Sequence, residues 1–300
     1  MGNVSKQTEY RKKPIIVIAG CTASGKSSVA LELAKHINGV IINADSRQVY
    51  KEISIGTAKP VPEEIRNGIW YIDNIPHLLY SYISVKEEYN LYRYQKDVFK
   101  ILKELPEDIT PILVGGTGLY IDSVVFNYKL QEQEKNLGKE RSELEDLDIT
   151  ELQNIVGKEK LTKLNSSDQN NPHRLIQIIL KGSLPSIEKG PELEHRYFFL
   201  DIPKDKLEKN IVRRVDAMFK SGLIEENQKI KEEGLDIYPA LNSIGYREFR
   251  EKEDLDEIRE DIITHTKQYA KRQRTWFRRN KNIIYVKNQK IFLKTLIPKN

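Results

Sequence analysis

Residues 15–34 read IIVIAGCTASGKSSVALELA, and this segment carries the strongest fold signal in the chain. The short apolar run at its start follows Pro14 and is typical of a buried parallel strand. From Ser27 onward, apolar side chains recur at helical spacing. Between strand and helix lies a match to G-x-x-x-x-G-K-[ST], in the strand–loop–helix setting that a phosphate-binding P-loop requires. The segment therefore predicts a site for a di- or triphosphate.

The loop offers a phosphate group backbone amides, a helix dipole and a side-chain charge. Its glycines let the backbone wrap the anion, and the positive end of the following helix faces it. Lys26 adds a charge for the terminal phosphate, and Ser27 can hold Mg²⁺. The predicted diphosphate-binding residues are Gly20, Cys21, Thr22, Ala23, Ser24, Gly25, Lys26 and Ser27.

The sequence around this loop alternates strands with helices. Further strands are predicted at 40–42, 111–114, 197–200 and 283–286, and helices at 27–36, 90–105, 203–221 and 254–279. This alternation indicates an α/β fold, a P-loop-containing parallel sheet flanked by helices. Residues 126–189 are instead charged and helix-prone, without a convincing strand. We expect a P-loop core of residues 1–125 and 190–300, and a small helical insertion domain at 126–189.

Composition excludes several classes of protein. The chain has 300 residues, of which 39% are apolar and 31% charged, as in a globular protein. No apolar run approaches the roughly 18 residues that cross a bilayer, so we expect no membrane span. Cys21 is the single cysteine, which excludes an internal disulfide and a multi-cysteine zinc site. The reducing cytoplasm is the expected compartment.

The basic residues are concentrated near the C-terminal end of the chain. The net charge is +5, and residues 264–300 contain no acidic residue. Lys267, Lys271, Arg274 and Arg278 follow helical steps along one face of the helix predicted at 254–279. Such a stripe suggests a polyanionic partner, although a merely solvated helix face explains it equally well.

Asp45 follows the second predicted strand directly. Ligand-binding groups lie at the carboxyl ends of strands in a parallel sheet, so Asp45 and the P-loop are expected to face one crevice. A carboxylate there can act as a general base, a metal ligand or a helix N-cap. The next strand ends in Gly115-Gly116-Thr117-Gly118, without the acidic residue of a Walker-B strand. A small-metabolite kinase remains an alternative on these residues alone.

Six sequence blocks, in order, resemble the tRNA dimethylallyltransferase family, also called isopentenyl-diphosphate:tRNA transferases. The blocks are GCTASGKS at 20–27, DSRQVYKEISIGTAKP at 45–60, VGGTGLY at 114–120, RVDAMFKSG at 214–222, IGYRE at 244–248 and TKQYAKRQRTWFR at 266–278. The resemblance runs from about residue 14 to residue 280.

The resemblance implies transfer of a dimethylallyl group from dimethylallyl diphosphate to the N6 amine of the adenosine that is 3′-adjacent to the anticodon. It makes Asp45 the general base, and Thr22, Lys26 and Arg214 the catalytic residues on the diphosphate side. It also implies Mg²⁺ as the cofactor, with Ser27 as its ligand, no redox cofactor, and at most weak or unproductive ATP binding. The implied partners are dimethylallyl diphosphate and the tRNA anticodon stem-loop. We expect a monomer that does not bind a membrane.

The same resemblance implies contacts with tRNA from several segments. The implied tRNA-binding residues are Asp45, Ser46, Arg47, Gln48, Thr117, Arg141, His173, Arg174, Leu175, Ile176, Gln177, Ser243, Ile244, Gly245, Tyr246, Arg247 and Glu248. Gln177 stands where the family commonly has arginine. Besides the kinase, a second alternative is a non-catalytic RNA-binding protein that retains an inactive phosphate loop.

Overall fold

The computed structural model of the chain describes residues 14–130, 138–164, 166–181, 188–250 and 252–296, without the side chains of 138–141, 167 and 181. The chain divides into two units. One consists of residues 1–127 and 191–300, and the other of residues 128–190.

The centre of the first unit is an eight-stranded sheet. Its strands are β1 (Ile15–Gly20), β2 (Gly39–Asn43), β3 (Glu64–Arg66), β4 (Ile69–Ile72), β5 (Ile75–Leu78), β6 (Thr110–Gly115), β7 (His195–Leu200) and β8 (Ile284–Val286). They lie in the order β3-β4-β5-β2-β6-β1-β7-β8. From β5 to β8 all neighbours pair in parallel, whereas β3, β4 and β5 pair antiparallel.

The described residues also form helices, in both units. In chain order they are α1 (Lys26–His36), α2 (Leu91–Glu104), α3 (Gly118–Val125), α4 (Gly138–Glu145), α5 (Ile149–Val156), α6 (Lys158–Leu161), α7 (Ser166–Gln169), α8 (Pro172–Lys181), α9 (Lys204–Lys220), α10 (Leu223–Glu232), α11 (Leu255–Phe277) and α12 (Gln289–Leu296). The predicted α/β fold class is confirmed, and so are the five parallel strands that the sequence predicts. Strands β3, β4 and β5 were not predicted, because runs of three and four residues carry little periodicity.

Buried strands place the site residues at one edge of the sheet. All residues of β1 and β2 are buried, and α1 packs Val29 and Leu33 against the sheet. A Cβ atom at Gly115 would overlap the carbonyl oxygen of Ala44, so only glycine permits this approach. The segments that follow β2 and β6 therefore leave the sheet in close contact.

The described residues of the second unit form helices α4–α8 and contain no strand. Their apolar core comprises Leu152, Val156, Leu175, Ile176 and Ile178. Leu175 and Ile176, two residues expected to contact RNA, have their side chains in this core, and their contact with RNA stays a prediction.

Candidate active site

The P-loop connects the end of β1 to the start of α1. Gly25 adopts a φ of +88°, the left-handed conformation that favours glycine. The Lys26 ammonium reaches back to donate to the carbonyl oxygen of Cys21 at 3.4 Å. The Ser24 hydroxyl is buried and has no hydrogen-bond partner among the described residues. A loop with this unsatisfied group and glycine geometry is shaped to close around a ligand oxygen.

Two side chains from distant elements hold the loop on its outer side. The Asn210 amide, on α9, donates to the carbonyl oxygen of Ala23 at 3.0 Å. The Gln289 amide, at the start of α12, donates to that of Ser24 at 2.9 Å. Their sequence positions give no indication of these roles, because each contact joins segments more than 180 residues apart.

Gln273 of α11 connects the P-loop with the end of β6. Its Oε1 accepts from the Thr22 amide at 2.8 Å, and its Nε2 donates to the carbonyl oxygen of Gly116 at 2.9 Å. Cys21 is buried, and its thiol donates to the carbonyl oxygen of Ala270 at 3.3 Å. Burial raises the pKa of the thiol, so Cys21 serves packing rather than nucleophilic chemistry.

Two half-buried cations lie beside the loop. Arg214 of α9 donates from Nη1 to the Thr22 hydroxyl at 2.9 Å. Burial lowers the pKa of Lys26 to about 8, and repulsion from Arg214 adds to that effect. Burial also lowers the pKa of Arg214. The charge of Asp45 opposes both pKa shifts, so this carboxylate lies within electrostatic range of the two cations.

Asp45 lies in a tight turn at the carboxyl end of β2. Its backbone N–H donates to Asn43 Oδ1 at 2.9 Å, and its own Oδ1 accepts from the Arg47 amide at 2.9 Å. Residues 46–49 form a turn and no helix begins there, so the N-cap alternative for Asp45 is wrong. No partner for Oδ2 occurs in the part of the chain that the structure describes. Asp45 is thus an oriented carboxylate with one oxygen free to act.

Thr117, which follows β6, ties its turn to that of Asp45. Its hydroxyl oxygen accepts from the Ser46 amide at 3.1 Å, and its own amide donates to the carbonyl oxygen of Ala44 at 3.2 Å. Tyr269 of α11 lies close to Asp45, and burial together with the Asp45 charge raises the pKa of Tyr269. The structure therefore brings together the ends of β1, β2 and β6 under α11.

A cavity of about 310 Å³ opens beside the P-loop. Its lining contains cationic side chains and no carboxylate, which suits a polyanion. The lining residues are Ala23, Ser24, Gly25, Ile202, Lys206, Asn210, Arg213, Arg214 and Gln289.

The segments expected to contact RNA are only partly accessible. Arg47 is half-buried, and so are Ile244 and Arg247. The Gln48 side chain already makes hydrogen bonds within the protein, since its amide donates to the carbonyl oxygens of Thr57 at 2.9 Å and Ala58 at 3.2 Å. Three residues expected to contact RNA have buried side chains, namely Ser243, Tyr246 and Glu248, and their contact with RNA stays a prediction. Gly245 is also buried.

In the second unit, the accessible members of the expected set lie on α8. His173 is exposed, whereas Arg174 and Gln177 are half-buried. Arg141 belongs to α4, and its side chain lies outside the described residues.

The basic stripe of α11 is shorter than its sequence indicates. Arg274 pairs with Asp201 at 3.1 Å and donates to the carbonyl oxygen of Ile202 at 2.8 Å. The other three residues of the stripe, Lys267, Lys271 and Arg278, are exposed.

Two absences complete the description of the site. The described residues contain no cluster of three or more His, Cys, Asp or Glu side chains that could hold a metal ion. Nor do they contain a helix long and apolar enough to cross a membrane.

The parallel sheet and the phosphate loop define a P-loop α/β protein with a carboxylate at the end of β2, two strands from β1 in the sheet. A family model described as IPP transferase matches residues 48–280, and the chain belongs to that family. A tRNA dimethylallyltransferase from Rippkaea orientalis is 37% identical over an alignment of 280 residues that covers 90% of this chain and 91% of the relative. One from Staphylococcus aureus is 33% identical over 312 residues, covering 96% of this chain and 97% of the relative.

Solved structures show the same similarity. The tRNA isopentenylpyrophosphate transferase of Bacillus halodurans matches with a TM-score of 0.70 and 29% identity, covering 95% of this chain and 94% of the other. A eukaryotic dimethylallyltransferase crystallised while acting on tRNA also matches with a TM-score of 0.70, at 27% identity. That match covers 88% of this chain and 70% of the other.

Proposed function

We propose that this chain transfers a dimethylallyl group from dimethylallyl diphosphate to the N6 amine of the adenosine 3′-adjacent to the anticodon in tRNA. The observation that carries the proposal is the electrostatic proximity of Asp45 to Lys26 and Arg214. A base for the amine thus lies at the end of β2, and the cations for the leaving group lie beside the loop that follows β1. The names of the relatives favour this transfer over phosphorylation of a metabolite.

The P-loop side supports departure of diphosphate. As the allylic carbon–oxygen bond breaks, negative charge grows on the diphosphate oxygens. The loop amides, the start of α1, Lys26 and Arg214 are already in position to stabilise that charge, so little reorganisation accompanies the reaction. Arg214 also donates a hydrogen bond to the hydroxyl of Thr22, a residue of the same loop.

Asp45 supplies the base. The exocyclic amine of adenine is a poor nucleophile, so its proton leaves for a carboxylate oxygen of Asp45 as the nitrogen–carbon bond forms. A general base typically contributes about 10²–10⁴-fold to the rate. The Arg47 amide holds Oδ1, and this contact orients the carboxylate.

The donor set fits Mg²⁺. This ion usually keeps several waters and binds through one or two protein oxygens together with substrate phosphates. Ser27 lies exposed in the first turn of α1 and would supply one such oxygen. When bound, Mg²⁺ would neutralise charge on the leaving diphosphate.

The acceptor fits a basic, accessible surface. An adenosine in an anticodon loop is largely unpaired, so extruding it costs about a few kcal/mol or less. Lys267, Lys271 and Arg278 on α11 would contact phosphates. We propose a monomer that acts in the cytoplasm, in keeping with its single cysteine.

A labelled-transfer assay tests the proposal. With labelled dimethylallyl diphosphate, Mg²⁺ and unmodified tRNA, the wild-type protein transfers label to RNA. Asp45→Asn retains diphosphate affinity and loses at least about 10² in kcat, because it removes the base. The exposed Asp256→Asn serves as the matched control and transfers as the wild type does. Absence of label in RNA contradicts the proposal. ATP-dependent phosphorylation of a metabolite, at a rate that tRNA does not affect, supports the kinase alternative.

A further inference from the structure

Glu226 on α10 has a carboxylate that accepts hydrogen bonds from four donors. Successive backbone amides of Ser54, Ile55 and Gly56 donate to it at 3.0, 3.0 and 3.2 Å. The fourth donor is the Tyr246 hydroxyl, at 2.6 Å. Successive amides that converge on one anion form a nest, which fixes the conformation of the turn that supplies them.

The same turn packs directly against the 243–248 segment. The Gly56 amide donates to the Tyr246 oxygen at 3.0 Å, and a Cβ atom at Gly56 would lie 2.6 Å from the Tyr246 ring. Gly245 has a φ of +95°, and its Cβ position would lie 3.1 Å from Gly56 Cα. Asn227, the neighbour of Glu226 on α10, donates to the Gly245 carbonyl oxygen at 3.1 Å. This side of the turn is therefore held by α10 and residues 243–248 together.

The other side of the turn holds the segment that begins with Asp45. Gln48 donates to the carbonyl oxygens of residues 57 and 58, as described above. The Lys59 ammonium donates to the carbonyl oxygen of Tyr50 and to the Ser81 hydroxyl, the latter at 2.8 Å. Burial lowers the pKa of Lys59 to about 8, and the charge of Glu226 opposes that shift. One turn, residues 54–59, thus connects Glu226 with residues 45–50.

We propose that Glu226 is a positioning residue that fixes residues 45–50, and with them Asp45, relative to the 243–248 segment. The proposal rests on the proposed transfer, because residues 45–50 carry its base. Glu226 sets the geometry on the acceptor side of the site and touches no part of the P-loop. An ionised carboxylate is required, because the NH₂ group of a glutamine would face backbone N–H donors.

Glu226→Gln tests this role, and Glu225→Gln is the matched control because Glu225 is its exposed neighbour on α10. Hydrogen exchange of Glu226→Gln becomes faster at residues 54–58 and also at residues 45–50, whereas residues 20–27 keep wild-type protection. In the transfer assay, kcat/KM for tRNA falls by up to about 10²-fold, while the affinity for inorganic pyrophosphate stays unchanged. Glu225→Gln behaves as the wild type in all three measurements.

Tyr246→Phe provides a second route if Glu226→Gln fails to fold. It removes one donor to Glu226 and the acceptor of the Gly56 amide, so exchange spreads to residues 45–50 in the same pattern but to a smaller extent. Faster exchange confined to residues 54–56 overturns the proposal, and so does unchanged kcat/KM for tRNA in an active enzyme. The exchange pattern needs no catalytic activity, so it separates failure of this coupling from failure of the proposed transfer.

Discussion

Lys26 and Arg214 are two like charges held partly out of water near one carboxylate. Burial lowers the pKa of each by disfavouring its charged form. For Arg214, the charge of Asp45 opposes that effect. An incoming diphosphate would supply the missing negative charge to both cations. The two cations therefore lower the free energy of unfolding of the free protein, and binding of a diphosphate raises it again.

The pKa of Lys26 makes diphosphate binding sensitive to pH. In the free protein the ammonium loses its proton as the pH rises through about 8, so affinity for an alkyl diphosphate should fall above that value. Calorimetric titration from about pH 6.5 to 9.5 measures this loss, which is accompanied by proton uptake on binding. Lys26→Gln should bind weakly, with no step near pH 8. A wild-type affinity that stays constant across the range would remove Lys26 from direct contact with the anion.

The same pKa has a defined consequence for stability. Because the folded value is lowered, the unfolded chain binds more protons between about pH 8 and the ordinary value of 10.5. Burial of the Lys26 charge is therefore destabilising below about pH 8, and this contribution fades as the pH rises toward 10.5.

At the scale of secondary structure, α11 braces the carboxyl edge of the sheet. Gln273 joins the P-loop to the end of β6, and Trp276 packs so closely on Gly118 that a Cβ atom there would overlap its ring. The Trp276 indole also donates to Asp122 at 2.8 Å. A helix from the C-terminal part of the chain thus completes a site whose loops come from the first third.

Replacing Gln273 with leucine tests that bracing. The change leaves the Thr22 amide and the Gly116 carbonyl oxygen without their partner, which should lower the free energy of unfolding by about 1–3 kcal/mol. Urea denaturation measures the loss. The control is Gln268→Leu, an exposed position on the same helix, expected to stay within about 0.5 kcal/mol of the wild type. Equal stability of the two variants would show that the two contacts carry no net energy.

Local signals in the sequence were sufficient for the elements but not for this bracing. The P-loop motif, the apolar parallel strands predicted above and the position of Asp45 at a strand end all depend on neighbours close in the chain, and each could be predicted. Gln273 and Glu226 read as ordinary helix residues, because their partners lie far away, as the 172-residue separation of Glu226 from Ser54 illustrates. Arg274 fitted the basic stripe by spacing, yet Asp201 and Ile202 take up its guanidinium in the fold.

Across the whole molecule, the distribution of charge matters more than its sum. The net charge is only +5, but no acidic residue occurs after residue 263. Lys267, Lys271 and Arg272 on α11 and Arg278 directly after it are exposed, so they can meet an external anion. By contrast, Lys35 at the end of α1 pairs with Asp73 at 2.8 Å, so its charge is balanced locally.

Salt dependence of tRNA binding tests whether this surface contacts phosphates. Neutralising a phosphate of single-stranded nucleic acid releases counterions, so log affinity should fall with log salt by about 0.7 for each contact. Lys271→Gln should therefore weaken tRNA binding and reduce the slope by about 0.7, whereas Lys35→Gln leaves the slope unchanged. Filter binding or fluorescence anisotropy at several salt concentrations measures both, with pyrophosphate affinity confirming that the P-loop is intact. A nearly flat wild-type response would mean that the stripe is only a solvated helix face, because binding that neutralises no phosphates releases no counterions.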